Sequence, residues 1–71
     1  MERHVYILAD RTGVWATLRS RPMPPRVRGI KIRHVGTYQD DLAAWRDFEA
    51  AQWVVRVAGD LIFPEPPRRD R

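Results

Sequence analysis

Three prolines within four residues divide this chain into two parts. Residues 21–26, RPMPPR, contain Pro22, Pro24 and Pro25. Proline has no backbone N–H to donate to a helix or a central strand, and it biases the residue before it towards extended conformations. Residues 21–26 are therefore predicted to form a stiff connector between a short N-terminal half and a longer C-terminal half.

The N-terminal half has the pattern of a β-hairpin. Residues 4–9 (HVYILA) and 14–18 (VWATL) are rich in β-branched and aromatic side chains. Between them, DRTG begins with an aspartate and ends with a glycine, which is typical of a short hairpin loop. After the connector, residues 27–35 (VRGIKIRHV) alternate between apolar and basic side chains. They predict a third strand with Ile30 and Ile32 towards a helix and Lys31 and Arg33 towards water.

A helix is predicted to begin after Gly36. Thr37 and Asp40 have the spacing of a capping box, and Asp40 and Asp41 suit the positive end of a helix dipole. The apolar stripe expected to face the core consists of Tyr38, Leu42, Trp45 and Phe48.

The sequence leaves the end of this helix open. Three valines among residues 54–57 favour a strand over 53–58, and Gly59-Asp60 could turn it back onto residues 61–63. The alternative is a helix that continues through residues 52–58 to Ala58. The first choice predicts an α+β fold, a small antiparallel sheet (β-β-β-α-β-β) with one amphipathic helix on one face. Residues 1–63 would be a single domain and residues 64–71 a flexible tail rich in proline and arginine.

Size limits how stable such a domain can be. A chain of 71 residues buries a modest share of its surface, and this one contains no cysteine for a disulfide. Association into a homodimer, through strand 53–58 or the first hairpin, is one way to add buried surface. The N-terminus lacks the apolar core of a signal peptide, so the predicted location is the cytoplasm. Twelve arginines against one lysine fit a bacterial or phage gene of high GC content.

Charge is unevenly distributed along the chain. Residues 1–39 have eight basic and two acidic side chains, whereas residues 40–65 have two basic and six acidic ones. Six of the basic residues form what we call the basic strip, within residues 19–33: Arg19, Arg21, Arg26, Arg28, Lys31 and Arg33. With Trp15 and Tyr6 on the same sheet face, the strip predicts a nucleic-acid-binding module in which arginines meet phosphates and aromatic rings stack on bases.

Two other interpretations of these charges remain open. In one, the arginines pair with helix acids, among them Asp40, and Trp15 only shields the sheet. In the other, the acidic helix and the sheet edges dock on a larger host protein, as an accessory or inhibitor protein encoded by a phage or mobile element would do. The partner-binding residues would then be Asp41, Asp47 and Glu49.

Catalysis has little support in the sequence. Ser20 is the one serine, with no histidine near it in the sequence, and the four glycines are too isolated to form a phosphate-binding loop. His4 and His34 do not have the spacing of a metal site. We therefore predict no enzymatic activity, no cofactor, no metal and no membrane partner.

Overall fold

The chain forms one three-stranded sheet with a long helix against it. The structure, a computed structural model, describes residues 2–63. In order, the elements are β1 (Arg3–Asp10), β2 (Gly13–Arg19), β3 (Lys31–Tyr38) and α1 (Asp41–Ile62). The antiparallel sheet has the order β2-β1-β3, and α1 packs on all three strands. The predicted α+β class is confirmed, and the tail predicted over residues 64–71 lies outside the described residues.

The predicted hairpin is confirmed, and its turn is stabilised by Asp10. The Asp10 carboxylate accepts hydrogen bonds from the backbone N–H of Thr12 at 2.7 Å and from its hydroxyl at 2.5 Å. These bonds favour the charged carboxylate, so they hold the pKa of Asp10 below its ordinary value. Gly13 follows with a φ of 149°, a conformation that other residues rarely adopt.

The central strand β1 is buried on both faces of the sheet. On the helix side, Val5 and Ile7 form a core with Ala51 of α1. On the opposite side, which we call the far face, Tyr6 and Leu8 are also buried. The segment that joins β2 to β3, residues 20–30, reaches this side, because the backbone N–H of Met23 donates to the Tyr6 hydroxyl at 3.0 Å. The sheet is therefore covered from two directions.

Because residues 20–30 cover the far face, the predicted orientation of the third strand is wrong. Residues 27–30 form a tight turn, closed by a 3.1 Å bond from Ile30 N to Val27 O, and β3 begins only at Lys31. Ile32 pairs with buried Leu8 on the far face, so Lys31 and Arg33 lie on the helix side. The prediction assumed a single apolar layer. Ile32 instead contributes to the layer under residues 20–30.

The helix begins three residues later than a Thr37 cap implies. Thr37 belongs to β3, and the N-cap is Asp40, whose carboxylate accepts a hydrogen bond from Leu42 N at 3.1 Å. Tyr38 is likewise a strand residue. The predicted core stripe therefore starts outside the helix.

The helix also presents a different face to the sheet. Ala44 and Ala51 are buried against it, and Phe48 and Val55 pack beside them. Of the predicted stripe, Phe48 is in the core, but Leu42 is 59% exposed and Trp45 is 51% exposed. The alanines let the helix approach the strands closely, whereas tryptophan is too large for that contact.

The two predicted C-terminal strands are wrong, because residues 53–58 and 61–63 do not form a hairpin. Helix α1 runs to Ile62, with a kink at Ala58 where φ is −141° and ψ is 30°. Val55 lies one helical turn after Ala51 and packs on the same core, so tertiary packing overrides the β propensity of the valines. The alternative of a helix through residues 52–58 is the one observed.

Tyr38 ties the end of β3 to the helix. Its ring lies over Gly36, where an added Cβ would stand 2.7 Å from the Tyr38 Cζ, and its hydroxyl donates to the Asp47 carboxylate. This hydrogen bond, together with burial and the negative charge of Asp47, raises the pKa of Tyr38 to about 12. The phenol thus stays protonated well above the pH at which an unfolded tyrosine ionises.

We expect Tyr38→Phe to lower the free energy of unfolding by about 1 kcal/mol at neutral pH, because one hydrogen bond to a charged acceptor is lost. The folded pKa lies above the unfolded one, so the stabilisation is complete below about pH 10 and is lost as the pH rises to about 12. Urea unfolding at pH 7 and pH 11 measures both effects. If the difference in free energy of unfolding between the wild type and Tyr38→Phe is not smaller at pH 11 than at pH 7, this role of Tyr38 is wrong.

Candidate nucleic-acid interface

The fold divides the basic strip between the two sides of the sheet. Arg19 ends β2 on the far face, and Arg21, Arg26 and Arg28 belong to the segment of residues 20–30 that reaches this face. Lys31 and Arg33 lie on the helix side, where Arg33 Nη1 donates to Ile62 O at 3.4 Å. Arg33 therefore meets the negative end of the α1 dipole. The other four basic residues lie in or next to the segment of residues 20–30, and we call them the loop arginines.

The backbone that holds the loop arginines is braced by several contacts. Met23 is bonded to Tyr6, and Arg19 Nε donates to Arg21 O at 3.2 Å. Ile30 and Ile32 share a shallow hollow with Pro25 on the far face. A segment that is already ordered loses less conformational entropy when it binds a ligand.

The loop arginines are exposed and have no ion-pair partner among the described side chains. The ion pair there joins Arg3 to Asp41, with 3.0 Å from Nε to Oδ1, and the His4 ring lies near Glu2, with 3.4 Å from Nε2 to Oε1. The interpretation that helix acids neutralise the strip is therefore not what the described residues show. The four guanidinium groups are exposed, and none of the carboxylates that the structure describes lies within ion-pair distance of them.

The two aromatic residues predicted beside the strip differ in access. Trp15 lies on the far face in line with Thr17 and Arg19, and it is 37% exposed. Tyr6 lies on the same face but is buried, and its hydroxyl already accepts the bond from Met23. Trp15 can therefore offer a ring face to a ligand, whereas Tyr6 serves to anchor the segment.

His34 is a far-face residue that the sequence analysis did not assign to the site. It is exposed, pairs with Tyr6 across the strands, and its ring centroid lies 5.0 Å from that of Tyr6. His34 lies two residues after Ile32 in the same strand, so the two side chains are on the same face. The sequence could indicate a far-face position for His34 only if Ile32 was known to be on the far face.

A chain of polar groups crosses one end of the far face. The Thr37 hydroxyl lies 3.3 Å from His4 Nδ1 and 3.1 Å from His34 Nε2. His4 is buried, and its Nε2 atom faces Glu2 at the distance given above without the geometry of a hydrogen bond. Within residues 2–63, no three histidine, aspartate or glutamate side chains are grouped as a metal ion would require.

The acidic residues predicted to bind a partner are partly engaged within the chain. Asp41 pairs with Arg3, and Asp47 accepts the Tyr38 hydroxyl bond. Glu49 is exposed on the helix. Two of these three carboxylates thus already have a structural role.

Comparisons with known proteins give no relative for this chain. No protein-family model and no curated protein matches its sequence, and no solved structure matches its fold. Over the described residues, α1 lacks the long apolar run with which a helix crosses a membrane. The function proposed below is therefore argued from the residues of this chain alone.

Proposed function

We propose that the protein is a non-catalytic module that binds nucleic acid through the loop arginines and Trp15. The observation that carries the proposal is the exposure of four arginines, without ion-pair partners among the described side chains, on a braced segment over the face where Trp15 is half-exposed. Phosphates would be held by guanidinium groups, which donate two parallel hydrogen bonds to an anion. An unpaired base would stack on the indole ring of Trp15.

Single-stranded nucleic acid fits this surface better than a duplex does. The one described helix packs on the other side of the sheet, so the described far face has no helix that could enter a major groove. A flexible strand can follow the segment from Arg19 to Arg28 while it presents a base to Trp15. The proposed surface does not include Lys31 and Arg33, because they lie on the helix side of the sheet. It does not include Tyr6, because that side chain is buried.

The test is the salt dependence of binding. For a fluorescent single-stranded octanucleotide followed by anisotropy, each phosphate neutralised contributes about −0.7 to the slope of log K against log salt. Four contacts predict a slope of about −3. Replacing Arg26 and Arg28 by alanine should reduce its magnitude by about 1.4, because two contacts are lost.

The matched control removes the same charge from the other side of the sheet. Lys31→Ala with Arg33→Ala lowers the net charge by two, as the Arg26 and Arg28 variant does, and should leave the slope near that of the wild type. Equal losses in both double variants would mean that only overall charge matters. No binding below millimolar concentration at 50 mM salt would reject the proposal and leave docking on a host protein as the function to pursue.

A further inference from the structure

Helix α1 has exposed apolar residues on the side that points away from the sheet. By helical periodicity Leu42, Trp53 and Val57 lie opposite the buried Ala44 and Ala51, together with Arg46 and Glu49. Trp53 is 63% exposed and Val57 is 64% exposed. We call Leu42, Arg46, Glu49, Trp53 and Val57 the outer stripe. Large apolar side chains exposed together on one helix face of a small protein mark a contact with another macromolecule.

We infer that the outer stripe is the interface of a homodimer, in which α1 packs antiparallel against α1 of a second copy. The straight part of the helix covers residues 41–57, before the kink at Ala58. Within it the stripe has a midpoint between Glu49 and Ala50, from which Leu42 and Val57 lie at equal distances along the sequence. A two-fold axis through that midpoint therefore places Leu42 of each copy against Val57 of the other copy.

The charged residues of the stripe are arranged with the same symmetry. Arg46 and Trp53 are also equally far from the midpoint, so the guanidinium of one copy meets the indole of the other in a cation–π contact. Glu49 of the second copy lies one helical turn from that contact, within reach of the long Arg46 side chain. Each copy thus supplies an arginine, a glutamate and a tryptophan to the same mutual contact.

The area of the stripe is at the lower limit for a dimer interface. Its five side chains present on the order of 500 Å² per copy, or about 1,000 Å² for two copies. Affinity follows from the contacts and not from the area, so we expect a weak dimer that depends chiefly on Trp53. The loop arginines lie on the side of the sheet away from α1, so both copies would keep them free.

The first test is sedimentation of the whole chain over a concentration series, with two tryptophan variants. The wild type should show a monomer–dimer equilibrium. Trp53→Ala should raise the dissociation constant at least about 30-fold, as loss of a central aromatic residue does. Trp15→Ala, the same substitution on the far face, should leave it unchanged. A wild type that is monomeric at several hundred micromolar overturns the inference, as does a dimer weakened by Trp15→Ala and not by Trp53→Ala.

A charge-reversal pair tests the antiparallel arrangement itself. R46E and E49R should each dimerise at least about tenfold more weakly than the wild type, because like charges then face each other across the axis. Mixing the two variants should give a heterodimer that is tighter than either homodimer, since positions 46 and 49 of opposite copies again have opposite charges. Its affinity should stay below that of the wild type, because one of the two Arg46–Trp53 contacts is lost. Circular dichroism verifies that both variants are folded. A mixture no stronger than the separate variants would overturn this pairing, and dimers insensitive to both changes would place the seam elsewhere, such as a sheet edge.

Discussion

Phe48→Ala should destabilise the protein severely, whereas Trp45→Ala should not. Phe48 packs on the core built from Val5, Ile7 and Ala51. Its truncation removes about 3 kcal/mol of packing from a free energy of unfolding that is about 4–10 kcal/mol for a chain of this length. The melting temperature should fall by about 15–20 °C.

Trp45 is the control because it is the larger residue and only three positions away. It is more than half exposed and touches the core through Phe48, with ring centroids 5.4 Å apart. Its loss should cost about 1–2 kcal/mol, from one aromatic pair and the partial burial of the indole, and so less than the loss of Phe48. Both variants are to be melted at the same low concentration, so that association does not shift the comparison. A larger loss for Trp45→Ala than for Phe48→Ala would show that the helix faces the sheet differently.

Trp15→Ala should weaken binding of a single-stranded octanucleotide by about 1–3 kcal/mol, or roughly 5- to 150-fold, because one stacked base is lost. A duplex of the same length should be affected much less, since its bases have no free face. The indole is 37% exposed and therefore mostly buried, so the variant should also lose some stability. Binding is to be compared at a temperature at which both proteins are fully folded.

Trp53→Ala provides the matched control for that experiment. It removes an exposed indole from the helix, on the other side of the sheet from Trp15, so the affinity for the octanucleotide should not change. If Trp15→Ala affects single strand and duplex equally, stacking is not part of binding. If Trp53→Ala has the larger effect, the ligand lies on the helix.

The parts of the fold that were predictable from the sequence are those with local signals. The two β-rich runs and the Asp-started turn at residues 10–13 predict the hairpin, and the prolines at 22, 24 and 25 predict an irregular connector. The acidic pair Asp40–Asp41 correctly indicates where a helix starts, although its cap is Asp40 and not Thr37. Each of these features depends on neighbours in sequence.

The parts of the fold that could not be predicted depend on tertiary packing between elements that are distant in sequence. Helix α1 has apolar residues on two sides, so periodicity alone does not decide which side meets the sheet. Ala44 and Ala51 mark the buried side, but alanine carries little weight in a hydrophobic pattern. The valines after Trp53 resemble a strand until Val55 is seen to continue the core.

The same limit applies to the candidate site. Six basic residues within residues 19–33 suggest one continuous surface, yet strand alternation and the cover from residues 20–30 place Lys31 and Arg33 on the other side. The sequence pattern correctly indicates that Trp15 and Arg19 share the far face. It does not distinguish Tyr6, which is buried, from Trp15, which is accessible.

The most direct test of the central claim is an amide chemical-shift titration of the labelled protein with a single-stranded octanucleotide at 50 mM salt. We expect the largest shifts at the Trp15 indole N–H and at the backbone amides from Arg19 to Arg28. The helix amides of residues 41–57 should stay in place, and raising the salt should reverse the shifts. Shifts concentrated on the helix, or none at saturating oligonucleotide, would contradict a nucleic-acid surface on the far face.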